Sequence, residues 1–170
     1  VYNFITKHFI SDTLTPIMIV ITQFGGTILM IVWAIASLVL ITNKRIAVSV
    51  VSNLVLIALL NNILKLIVRR ARPTGFRLVE ETGYSFPSGH SMVSMAFYGY
   101  LIYLIYKNVK NKKLRWTLMA CFSLLIFIIG MSRIYLGVHY TSDVFAGFLF
   151  SLGYLVVYIK FTDPIVFQKK

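Results

Sequence analysis

The chain reads as an all-α, polytopic membrane protein, a helical bundle with five hydrophobic spans, and three observations predict this. Of its 170 residues, 58% are hydrophobic and only 13% charged, with a mean hydropathy of +0.82, a profile foreign to a water-soluble domain of this length. The apolar runs approach the ~20 residues that a bilayer core requires. The 17 lysines and arginines, set against five acidic residues, gather in the short gaps between those runs. A net charge of +12 would otherwise point to nucleic acid, but that partner needs a continuous solvated basic surface. No nucleic-acid partner is expected.

Residues 1–13 are mixed and aromatic, with Lys7, His8 and Asp12, and read as an interfacial segment on which His8 is a surface histidine. The first span is expected over 14–41, with Gly25-Gly26 allowing close helix packing. After the basic loop Asn43-Lys44-Arg45, the second span covers 46–68. It carries Asn53, Asn61, Asn62 and Lys65, polar residues that predict a bundle-interior helix. The longest polar gap follows, with Pro73 and Gly75 ending any helix and Pro87 preceding a new start. Spans at 88–106, 114–131 and 144–161 complete a single integral-membrane domain over 1–170. The lone Cys121 lies in an apolar run and is a packing residue, so no disulfide framework is expected.

Five spans place the 43–45 loop, the 107–115 loop and the tail after 160 on one side. Ten of the 17 basic residues fall there, which makes that side cytoplasmic by the positive-inside rule. The opposite, extracytoplasmic face then receives Lys65 and Arg72, the segment Pro87-Ser88-Gly89-His90, and Arg133, His139 and Asp143. A plasma membrane protein with its chemistry facing outward is expected.

Those residues carry a recognisable chemistry. His139 and Asp143 are four apart, so a helix there would put them on one face, one turn apart. The carboxylate could then fix the imidazole tautomer and leave the other nitrogen free to attack. Arg133 adds a planar fork suited to a phosphoryl group. Lys65 and Arg72 are seven apart, roughly 10 Å along a helix, and both can reach one anion. Ser88 suits a helix N-cap, and Gly89 lets helix-start amides approach a ligand. His90 would stand beside the bound phosphate. Arg69, Arg70 and Arg77 are read as headgroup anchors.

The array Lys65-x6-Arg72-Pro73, Pro87-Ser88-Gly89-His90 and Ser132-Arg133-x5-His139-x3-Asp143 resembles the three-part signature of the type 2 phosphatidic acid phosphatase superfamily, over about residues 62–161. The resemblance implies a metal-independent membrane lipid phosphatase without a cofactor, acting through a phosphohistidine. His139 would be the nucleophile, Asp143 its orienting partner and His90 the general acid. Lys65, Arg72, Ser88, Gly89 and Arg133 would bind the phosphate. Small bacterial members of the family usually have six spans, so a sixth is expected ahead of Val1. Phosphatidylglycerol phosphate is the favoured substrate. Undecaprenyl pyrophosphate and phosphatidic acid are alternatives, as are a soluble phosphate ester and a phospholipid-binding protein without catalysis.

Overall fold

The computed structural model describes residues 10–168. The expected interfacial segment, including Lys7 and His8, lies largely outside them. Among the described residues there are six helices and no strand: α1 (Leu14–Gln23), α2 (Thr27–Leu40), α3 (Lys44–Val68), α4 (Gly89–Asn108), α5 (Lys112–Tyr135) and α6 (Thr141–Val166). They form a polytopic membrane bundle. Its outer surface is greasy, with Ile28, Val39, Ile67, Leu149 and Phe161 all strongly exposed, as lipid-facing side chains should be.

The expected first span over 14–41 is two helices. α1 and α2 meet at a 43° bend, where Gly26 takes an extended conformation as the cap of α2. Of the two glycines only Gly25 serves close helix packing, as the sequence predicts for the pair, while Gly26 meets only Gln23 of its own turn. A Cβ at Gly25 would lie 2.8 Å from Cγ2 of Ile129 and 3.3 Å from the His90 side chain. α3, α5 and α6 are each long and apolar enough to cross a bilayer, and the bent pair is a fourth candidate. Among the described residues five apolar spans are therefore not met on hydropathy alone, because α4 falls short.

The position of α4 explains its polarity. It packs against α3, α5 and α6 and contributes Phe97, Tyr98, Tyr100 and Leu104 to the main core, beside Val50, Leu54, Ile126, Ile129, Leu155 and Tyr158. In a bilayer, apolar contact gives helices little reason to associate, so small residues and interhelical hydrogen bonds take over. Ser91 and Ser94 are fully buried on α4. Asn53 Nδ2 donates to the Ala96 carbonyl at 2.8 Å, Ser151 Oγ to Met92 O at 2.9 Å, and Tyr100 OH to Ser49 Oγ at 2.9 Å. α3, read from its asparagines as an interior helix, is instead peripheral. It turns Asn53 and Asn61 inward and exposes Val55, Leu59 and Ile67.

Four helix ends meet at one end of the bundle: the close of α3 and α5 and the start of α4 and α6. The turn between α5 and α6 is tight. Gly137 adopts φ +77°, and a Cβ there would collide with the Phe76 carbonyl, so only glycine fits. The loop 69–88 runs over this turn and is pinned to it by Leu78 N donating to Leu136 O at 3.0 Å. The start of the described chain closes the same end: Ile10, Leu14 and Met18 pack on Tyr135, Leu136 and Val138.

Candidate active site

His139 does not lie in a helix. α5 ends at Tyr135 and α6 begins at Thr141 with Tyr140 as its N-cap, so the spacing to Asp143 works through a helix start instead of a helical turn. Asp143 sits three residues past the cap, and its Oδ2 accepts from the Tyr140 backbone N–H at 2.9 Å, satisfying a donor that the helix start leaves unpaired. Capping thus locks the carboxylate before it meets the imidazole. His139 Nδ1 lies 3.5 Å from the same oxygen.

Two residues that motif reading did not use tighten this arrangement. Ser85, fully buried, donates from Oγ to Asp143 Oδ2 and stands 3.4 Å from His139 Nδ1. Arg70 donates from Nη1 to Asp143 Oδ1 at 2.8 Å and to Ser142 Oγ at 2.7 Å, with its guanidinium 4.2 Å over the Tyr140 ring. Arg70, expected to be a headgroup anchor, is an ion-pair partner of the buried carboxylate. Arg69 and Arg77 stay with their own backbone, bonding Leu66 O and Pro73 O. In sequence, nothing separated Arg70 from its neighbours, and Ser85 was visible only as a polar residue two before Pro87.

The tautomer of His139 follows from its neighbours. Arg72 Nη1 lies 3.3 Å from Nε2, and a guanidinium can only donate. Nε2 therefore presents its lone pair, and Nδ1 carries the proton toward Ser85 and Asp143. Burial is the largest influence on the ring. It lowers the His139 pKa, Asp143 pulls the other way, and the Arg133 and Arg72 charges lower it further, to about 4. The ring is therefore neutral at physiological pH.

Arg72 follows α3 and is nearly buried. It also ties its own loop to the α5–α6 turn, donating to Thr82 O at 2.9 Å and Gly83 O at 3.1 Å in the loop and to Val138 O at 3.1 Å in the turn. Burial lowers its pKa, offset in part by Glu81. Arg133, at the end of α5, is only 1% exposed. Its Nη1 donates to Thr22 Oγ1 at 2.8 Å, its Nη2 pairs with Glu81, and its Nε has no partner among the described residues. The last turn of α1 therefore supports this arginine directly. Burial would raise the Glu81 carboxyl, but the Arg133 and Arg72 charges hold it below the usual carboxylate range.

Lys65, Arg72, Glu81, Gly89, His90 and His139 line one end of a cavity of about 450 Å³. The cavity continues between α2 and α3 past Met30, Ile31, Ala34, Leu54, Val55 and Ala58, an apolar passage toward the bilayer interior. Ser88 does not line it. Fully buried, its hydroxyl caps α4, accepting from Ser91 N at 3.4 Å and Ser91 Oγ at 3.0 Å. Gly89 faces the cavity instead. All eight expected site residues thus converge on one end of the bundle. Lys65, Arg72, Gly89, His90 and His139 face the cavity, while Ser88, Arg133 and Asp143 stand behind them.

A bundle of membrane helices enclosing an oriented, neutral histidine beneath a guanidinium clamp, at the polar end of an apolar passage, defines a membrane protein built to handle an anion on a lipid. The family model described as the PAP2 superfamily matches residues 46–166, and the chain belongs to that superfamily. It is 40% identical over 105 residues to phosphatidylglycerophosphatase B of Bacillus subtilis, a match covering 59% of this chain and 49% of the relative. The match thus spans about half the length of that relative. It is 29% identical over 161 residues to an undecaprenyl-diphosphatase of Sulfolobus acidocaldarius, covering 90% of this chain and 74% of the relative. Among solved structures, a transmembrane PAP2-type phosphatidylglycerolphosphate phosphatase from Bacillus subtilis superposes with a TM-score of 0.84 at 26% identity, covering 99% of this chain and 87% of that one.

Proposed function

We propose that this protein is a metal-independent lipid phosphate phosphatase that cleaves a terminal phosphate from a membrane lipid through a phosphohistidine. The observation that carries the reading is His139, with Nε2 aimed at Arg72 and Nδ1 held by Ser85 and Asp143, at the polar end of a passage lined by apolar side chains. Anion binding alone has no use for a histidine whose tautomer is set by a buried carboxylate.

In the first step the Nε2 lone pair attacks phosphorus and the bond from phosphorus to the lipid oxygen breaks. The lipid alkoxide takes a proton from His90. Lys65 and Arg72, with Arg133 behind them, offset the negative charge on the equatorial oxygens, and the Gly89 backbone faces the same space. In the second step His90 takes a proton from water, whose oxygen attacks phosphorus. The P–N bond breaks, releasing inorganic phosphate and neutral His139. Asp143 offsets the positive charge that the ring bears in between.

Phosphatidylglycerol phosphate is the favoured substrate, supported by the similarity to phosphatidylglycerophosphatase B. The longer match to an undecaprenyl-diphosphatase supports a second reading, hydrolysis of a polyprenyl pyrophosphate. The site is assigned to the extracytoplasmic face of a bacterial plasma membrane. Lys44, Arg45, Lys107, Lys110, Lys112, Lys113 and Arg115, at the ends of α3, α4 and α5 remote from His139, support that orientation. The test is phosphate release in detergent from phosphatidylglycerol phosphate, undecaprenyl pyrophosphate and phosphatidic acid, each with EDTA and a His139→Ala control. Release that survives EDTA and vanishes in the folded variant is expected. A metal requirement, or release by His139→Ala, would overturn the mechanism.

A further inference from the structure

Glu81 belongs to none of the motifs used above, yet its carboxylate sits among the site's cations. Oε1 is paired with Nη2 of Arg133, and Oε2 lies 3.7 Å from Nη2 of Arg72. Glu81 lines the cavity and Arg133 does not, so the carboxylate stands between the buried guanidinium and the space a phosphate would fill. The remaining donors of the two arginines are mostly committed to Thr22, to backbone carbonyls and to His139. What is left for a ligand is the Arg133 Nη2 that Glu81 pairs with, the Arg72 Nη2 that lies 3.7 Å from Glu81 while donating to Thr82 O, and the buried Nε of Arg133, which has no partner among the described residues.

We propose that Glu81 is an internal counter-ion that selects the substrate by charge. It holds the phosphate-facing donors of Arg72 and Arg133 and yields them to a doubly charged terminal phosphate. The singly charged phosphodiester headgroups of the surrounding bilayer do not displace it. This inference rests on the lipid phosphatase reading and names which lipid phosphates the site takes.

A lipid-facing site has a selection problem that a soluble phosphatase lacks. Phospholipid diesters share the depth and the apolar tails of a lipid monoester, and they surround the site. Lys65, Arg72 and Arg133 unopposed would attract any of them. With Glu81 in place the four side chains carry a net charge of two. Exchanging the carboxylate for a phosphodiester swaps one monoanion for another, with no electrostatic gain to offset desolvation. A terminal phosphate dianion brings a second charge. It also has three free oxygens, enough to take both donors held by Glu81 and to reach the orphaned Nε. Glu81 can leave cheaply, because its side chain is 29% exposed and it sits on the helix-free loop 69–88, so α5 need not move.

The competing role, a carboxylate that stays to orient the two guanidiniums, has the opposite sign. Removing an orienting group weakens phosphate binding, whereas removing a competing counter-ion tightens it. The experiment uses the full chain in dodecyl maltoside micelles, comparing the wild type with Glu81→Gln and Glu81→Ala. Inorganic phosphate binding is measured by calorimetric titration. The apparent KM for phosphatidic acid is measured as the mole fraction of phosphatidylglycerol rises. We expect the variants to bind phosphate about tenfold or more tightly, and their KM to climb with phosphatidylglycerol while that of the wild type stays level. Equal or weaker phosphate binding in the folded variants, with wild-type turnover intact, overturns the counter-ion and leaves the phosphatase reading standing. Phosphate binding without turnover by the wild type overturns the phosphatase reading, and the charge selection resting on it. Should neither variant fold, Glu81→Asp, too short to reach both arginines, must shift both readouts in the same direction or the proposal fails.

Discussion

Replacing Asp143 by asparagine separates the electrostatic part of the site from its shape. The carboxylate accepts on both oxygens: Arg70 at 2.8 Å on Oδ1, and Ser85 together with the Tyr140 N–H at 2.9 Å on Oδ2. An amide has one acceptor oxygen, so either orientation turns an NH2 toward a donor, Arg70 or Tyr140. The larger loss is charge. In the proposed mechanism His139 becomes cationic on phosphorylation, and in the structure the carboxylate lies 3.5 Å from its Nδ1. Two unit charges at that separation interact by about 5 kcal/mol at an effective dielectric near 20. Arg70 and Ser85 already draw on the same carboxylate, so we take roughly 3–4 kcal/mol as the part lost from the transition state, about a 10²- to 10³-fold fall in kcat/KM. The assay is steady-state phosphate release together with single-turnover accumulation of protein-bound phosphate, and thermal unfolding serves as a control. Losing the cap on Tyr140 should cost about 1 kcal/mol of stability, too little to unfold the bundle. Turnover within tenfold of wild type by folded Asp143→Asn would refute the account of the nucleophile.

Two further predictions follow from contacts that the sequence did not disclose. The His139 pKa, lowered to about 4, puts the acid limb of kcat/KM near that pH, with the neutral nucleophile active above it. Arg70→Gln removes a positive charge from Asp143, frees the carboxylate to hold the imidazolium and raises the His139 pKa. The limb should therefore move up by about one pH unit, equivalent to ~1.4 kcal/mol, and a pH–rate profile that does not move would show that Arg70 is no part of this relay. Gly25→Ala places a methyl 2.8 Å from Ile129 and 3.3 Å from His90, an overpacking expected to cost about 1–3 kcal/mol of stability and to lower kcat. Gly153→Ala, with open space around it, should change neither, as unfolding and turnover measured side by side will show.

How much was legible beforehand differs from residue to residue. His139, His90, Asp143, Lys65, Arg72 and Arg133 stand out because titratable groups in an apolar chain are costly and need a use. Loop parity then sends them to one end, and the structure brings them together there. The spacing of His139 and Asp143 suits one turn of a helix, and the structure realises it as a helix cap. Spacing alone does not distinguish these, because both place residue i+4 beside residue i. Arg70 was indistinguishable from Arg69 and Arg77 because composition treats all three as basic residues at a helix end. Only the fold shows that the start of α6 brings a buried carboxylate to one of them.

The sequence by itself determined that this is a helical membrane protein, and it singled out the titratable residues that share one end of the bundle. These follow from hydropathy, charge placement and chain direction, which are properties of the chain in order. The tertiary structure alone decided that the first apolar run bends over the site and seats Gly25 against His90. It alone decided that α3 shows an apolar back to lipid while α4 fills the centre, and that Glu81 and Ser85 reach the cations and the carboxylate from a loop without periodicity. Those contacts join residues far apart in the chain, and they are settled by which helix faces can pack and which buried charges must find a partner once packed.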